Sequence, residues 1–156
     1  MTFQHSPFNK HWVDQYYRMK RWYNLLEKTH KSNQVDDGQT INYMDIVYAF
    51  FQNCYHLKDW IKNDNLKTND EVERFINEND CMKICADLCN GSKHYTFNKP
   101  LRSGSDIVIE PTFRPIEKRI IPELGCIFSI DGFEYDPLSL GTECIKKWDE
   151  FLETLA

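Results

Sequence analysis

The chain has 156 residues, 41% of them hydrophobic and 14% aromatic, which is enough to bury a core and excludes an intrinsically disordered protein. A net charge of -5 excludes a generally basic nucleic-acid coat, so any nucleic-acid contact has to come from a local patch, and it disfavours anionic membrane surfaces. No apolar run of about 18 residues is present, and Met1–Pro7 lacks the basic start and apolar stretch of a secretory signal, so the expectation is a cytoplasmic protein without membrane contact.

Residues 9–31 carry apolar side chains at helical spacing, including Trp12, Val13, Tyr16, Trp22, Tyr23 and Leu26. Lys10, Arg18, Lys20, Arg21, Lys28 and Lys31 occupy much of the remaining surface, and their long stems commonly cover the flanks of an apolar face. A polar loop with the turn signal Asp37-Gly38 precedes a second helix over 41–62. That helix is apolar on nearly all sides, so it is central in a bundle or faces a second subunit. Its last turns hold Asn53, His56, Lys58 and Asp59.

Thr68 and Glu71 have the spacing of a capping box, which predicts a short helix over 69–78. Asn79-Asp80 reads as a stop and a new N-cap before a helix over 81–93, although one kinked helix over 69–93 also fits the pattern. Residues 105–110 alternate, and Pro111, Pro115 and Pro122 predict extended, irregular chain beyond them. Asp131-Gly132 between two β-rich runs predicts a hairpin over 126–135, because Asp-Gly accepts the positive φ values of a type I′ turn. Residues 138–155 return to helical spacing. The expected fold is mainly α: one domain over 1–156, a helical bundle with a small β insert at about 103–137 before the last helix.

Six cysteines stand at 54, 81, 85, 89, 126 and 144. Cys81, Cys85 and Cys89 recur every four residues and stack on one helical stripe. A zinc site usually uses short Cys-x-x-Cys knuckles, so the stripe reads as small core side chains in a reducing compartment, with no metal and no cofactor expected.

The polar cluster that can carry chemistry is Asp87 to His94. His94 has the right titration range for general acid–base work, Lys93 can hold a phosphate, and Asn90 lies one helical turn before His94. His56 and Asp59, three residues apart, share one face of the second helix. If the chain breaks at Asn79-Asp80, His56, Asp59, Asn90, Lys93 and His94 converge at one end of the bundle. Phosphate-loop, zinc-protease and nucleophile-elbow motifs are absent, as are the heptads of a coiled coil.

A helical domain of this size, with a polar motif ending its third main helix, resembles the HEPN superfamily. The family motif is arginine, a polar residue, three variable residues and histidine; Asn90 and His94 match it, and Cys89 stands at the arginine position. The resemblance covers about 9–94 and 138–155. The runs Cys54–Trp60 and Ala86–His94 also resemble segments of small bacterial and mobile-element proteins. The resemblance implies RNA binding or metal-independent endoribonuclease activity in a bacterial defence or toxin–antitoxin system, with homodimerisation. His94 would be the acid/base, Lys93 and Asn90 the phosphate holders, and His56 and Asp59 supporting groups. It also implies that Cys89→Arg would restore the motif. The rival class is a non-catalytic helical interaction or regulatory module, with RNA and a protein partner as the respective candidate partners.

Overall fold

Asn79 divides what periodicity alone would leave as one helix. Its backbone is extended, with φ -117 and ψ 115, and it serves as the C-cap of one helix and the N-cap of the next. Its side-chain amide donates to the Phe75 carbonyl at 2.7 Å, satisfying one of the carbonyls that the ending helix leaves open. The computed structural model describes residues 11–30, 43–92, 101–116 and 119–155, with backbone alone over 111–125.

Among the described residues the order is α1 (Trp12–Thr29), α2 (Tyr43–Asn63), α3 (Asn69–Glu78), α4 (Asp80–Gly91), β1 (Val108–Ile116), β2 (Arg119–Ile130), β3 (Phe133–Tyr135) and α5 (Pro137–Glu153). The protein is mainly α, with a small antiparallel sheet before the last helix. The start of the helical spacing at residue 9 lies outside the described residues. The described α1 begins after His11, whose N–H donates to Asp14 at 3.2 Å. Asp64 also accepts the Trp12 N–H at 2.8 Å, which ties the start of α1 to the end of α2.

The caps follow from sequence. Glu71 N–H donates to Thr68 Oγ1 at 3.2 Å, and Thr68 N–H donates back to the Glu71 carboxylate at 2.9 Å. Asn65 adopts φ 56 after α2, and the Leu66 N–H reaches back to the Ile61 carbonyl, closing the helix as a Schellman turn. Asp136 caps α5 by accepting the Ser139 N–H at 3.0 Å, and Pro137 supplies the preset φ of the first turn.

The expected hairpin is present, with Asp131 at φ 50 and Gly132 at φ 78 joining β2 to β3. The extended, irregular stretch expected before it is a bulged strand. Residues 108–116 form a third strand, β1, paired with β2 from Val108 opposite Ser129 to Ile116 opposite Arg119, with a register shift between Pro111 and Phe113. Proline is tolerated here because β1 lies at the sheet edge, and among the described residues β3 pairs only with Phe128–Ile130 and not with the Pro122 stretch of β2.

One core takes side chains from all five helices and from β2. Tyr43, Ile46, Val47, Phe50, Phe51, Cys54, Tyr55, Leu57 and Ile61 of α2 are all buried. Helix α2 is therefore the central helix, and the other helices cover its apolar sides within one chain. On α5, Trp148 is fully buried and its indole N–H donates to the Cys54 carbonyl at 3.0 Å. No described helix is long and apolar enough to cross a membrane.

Candidate functional site at the junction of α2 and α4

The break at Asn79 turns the chain so that α4 packs along α2. The C-terminal end of α4 meets α2 at its middle. Gln52 Nε2 donates to Ser92 Oγ at 2.7 Å, and His56 Nε2 lies 3.7 Å from Cys89 Sγ. His56 thus lies against Cys89 of α4, which is not one of the five residues expected to converge. Asn90 is half-buried on the last turn of α4. Asp59 is exposed, one turn beyond His56 and nearer the end of α2. Lys93 and His94 lie outside the described residues.

The polar residues of the last turns of α2 diverge. Asn53 accepts from Gln15 of α1, through its carbonyl at 2.9 Å and its side chain at 3.1 Å. Lys58 faces α3 and pairs with Glu73 at 3.0 Å. This spread follows from the 100° advance per residue of an α-helix, which sends residues 53, 56 and 58 to different neighbours.

Cys89 is fully buried. Asp87 is also buried, and its carboxylate accepts the backbone N–H groups of Arg102 at 2.9 Å and Ser103 at 2.8 Å. It anchors the loop before β1 to α4. A cavity of about 250 Å³ opens between that loop and the helices, lined by Tyr48, Asp87, Leu88, Gly91, Asp106 and Ile107.

Two networks were not assigned from the sequence. The first is cationic. Lys58, Lys62 and Arg102 surround Glu73 at 3.0, 2.6 and 3.0 Å, while Arg102 also donates to Asn77 and Tyr55. Lys58 lies 4.4 Å from the centre of the Tyr55 ring. Partial burial raises the Glu73 pKa, but hydrogen bonds from Lys62 and Lys58, with Arg102 behind them, outweigh that and hold it at about 2. The second joins three helix ends. His30 Nε2 donates to Asp136 at 2.8 Å, leaving Nδ1 2.6 Å from the Tyr43 hydroxyl. Burial, with the charges of Cys126 and Asp136 behind it, pushes the Tyr43 hydroxyl far above its ordinary range. No sequence signal joins these residues, since the contacts run between α1, α2 and the cap of α5.

None of the six cysteines is in a disulfide and all are buried, as the core reading of the stripe expects. The structure adds what the stripe alone does not show: Cys85 of α4 meets Cys54 of α2 and Cys144 of α5, with all three sulfurs within 4.8 Å of one another. Burial raises Cys85 and Cys144 well above the usual thiol range. Burial acts the same way on Cys54, but the neighbouring Cys144, Cys85 and Trp148 side chains turn its shift downward. No family model, curated protein or solved structure matches the chain.

Proposed function

We propose that the protein is a HEPN-like RNA-binding domain that cleaves RNA without a metal, working at the α2–α4 junction in a bacterial defence or toxin–antitoxin setting. The observation that carries this reading is the docking of the motif helix on α2, with His56 against Cys89 and Gln52 against Ser92. The cavity beside Gly91, with Tyr48 on its wall, supports it by offering a flat aromatic surface next to the motif. In the proposed chemistry His94 takes the proton of a ribose 2′-hydroxyl as that oxygen attacks the adjacent phosphorus. The P–O5′ bond breaks, the leaving oxygen receives a proton from His56, and a 2′,3′-cyclic phosphate remains. Asn90 and Lys93 hold the phosphate, and Asp59 is the outlying carboxylate of the set. Two copies paired across a two-fold axis would bring two such sites together.

A second reading, a non-catalytic interaction or regulatory module, is favoured by the full burial of Cys89, since that position presents no cation to a phosphate. One experiment separates them. The protein is incubated with a mixed RNA pool in EDTA beside His94→Ala and Lys93→Ala variants. The ribonuclease reading expects cyclic-phosphate ends, a loss of about 10²–10⁴ in rate for His94→Ala, and a weaker, less salt-sensitive Lys93→Ala. Intact RNA with all three folded proteins leaves the interaction module. Light scattering that reports a monomer at high micromolar concentration removes the paired-site form.

A further inference from the structure

We propose that Cys54, Cys85 and Cys144 form a binding site for one copper(I) ion, held by three sulfurs in the centre of the helical bundle. This inference does not depend on the RNA reading. The three residues come from α2, α4 and α5, which are distant in sequence and brought together only by the fold. Their sulfurs already lie within 4.8 Å of one another, and metal–sulfur bonds of about 2.3 Å in a three-coordinate plane need sulfurs about 4 Å apart. Closing the triangle therefore asks for less than about 1 Å of movement.

The donor set selects the ion. Three thiolates are soft ligands, suited to copper(I), zinc(II) or iron–sulfur clusters. Structural zinc takes four ligands and iron–sulfur clusters take four cysteines. Among the described residues no fourth histidine, cysteine or carboxylate atom joins the group at this spacing. All three cysteines are 0% exposed, so bulk water is not at hand to complete a tetrahedron. Copper(I), which is satisfied by three sulfurs, is the ion that fits.

Without the ion, the Cys85 S–H donates to the Phe51 carbonyl and the Cys144 S–H to the Cys81 carbonyl, each at 3.4 Å. Binding forms three copper–sulfur bonds and releases the thiol protons to solvent, with no change of oxidation state. Cys89, one turn along α4 from Cys85, touches the half-exposed His56, so the sulfur stripe of α4 extends toward the surface. Copper would then clasp the three helices that surround the core.

The test uses the full chain, purified under reducing conditions without oxygen and titrated with copper(I) buffered by bathocuproine disulfonate; zinc(II) is titrated in parallel. The expected result is one copper withdrawn per chain, a thiolate-to-copper absorption band, and three sulfur neighbours by X-ray absorption. Cys85→Ser and Cys144→Ser should lower copper affinity by more than about 100-fold. In both, the new hydroxyl inherits a carbonyl acceptor, so the fold has a partner for it. Cys126→Ser, outside the cluster, should bind as the parent does. Copper that stays on the chelator overturns the proposal. So does tight binding unchanged in both serine variants, or zinc held more tightly than copper. Should the serine variants not fold, the sulfur count around copper in the parent protein decides.

Discussion

Cys89 decides how the resemblance to HEPN proteins can be tested. From sequence, Cys89→Arg is the substitution that restores the motif. In the fold, Cys89 is fully buried on the α2-facing side of α4 with its sulfur 3.7 Å from His56 Nε2. A guanidinium there would be a cation set in the core. We expect Cys89→Arg to destabilise the protein by about 3–5 kcal/mol, the scale of an uncompensated buried charge, with no gain in RNA cleavage. Urea denaturation measures the first and the EDTA assay the second. A stable variant that cleaves RNA would show instead that position 89 turns outward. Of the candidate site, the break at Asn79 that lets α4 lie beside His56 was legible in the sequence, but the inward direction of Cys89 depends on how far along α2 the helix α4 docks. That distance is set by packing between helices and leaves no mark in local sequence.

Close approach of helices is visible at Gly141 of α5. A Cβ at this position would lie 2.7 Å from Cε1 of Phe50 on α2. Alanine is otherwise favoured over glycine in a helix by about 1 kcal/mol. Phe50 is fully buried against Phe51 and Tyr23, with ring centroids at 4.9 and 5.9 Å, and has little room to yield. We expect overpacking to win and Gly141→Ala to lose about 1–3 kcal/mol, read from the shift of a denaturation midpoint. A stabilised variant would mean that the Phe50 ring swings aside freely. Most elements were legible because their signals are local: the capping box at Thr68, the Asp131-Gly132 turn and the helical spacing of α2 and α5 each specify their own structure. Strand β1 was not, because its prolines argue against a strand until its place at the sheet edge is known, and that place is a property of the whole sheet.

Across the molecule, an acidic chain gathers three cations around one carboxylate. Glu73 of α3 binds Lys58 and Lys62 of α2 and Arg102 of the loop that Asp87 fastens to α4. One side chain therefore couples α2, α3 and the segment leading into the sheet. These cations hold the folded-state pKa of Glu73 at about 2, whereas a glutamate in the unfolded chain titrates near about 4.3. A depressed folded-state pKa contributes stability that is fully present above the unfolded value. It is lost as pH falls from about 4.3 through about 2, because the unfolded chain then binds the proton more readily. Glu73→Gln removes the charge at every pH and leaves Lys58, Lys62 and Arg102 facing one another. At pH 7 the variant should be less stable by about 1 kcal/mol, a modest figure because water screens a carboxylate left partly exposed. The gap should shrink as pH falls below about 4 and close near pH 2, where Glu73 itself is neutral. Paired urea denaturations of the two proteins at pH 7, 5 and 3 measure this directly. A gap that stays constant down to pH 3 would mean that Glu73 stabilises through packing and not through its charge.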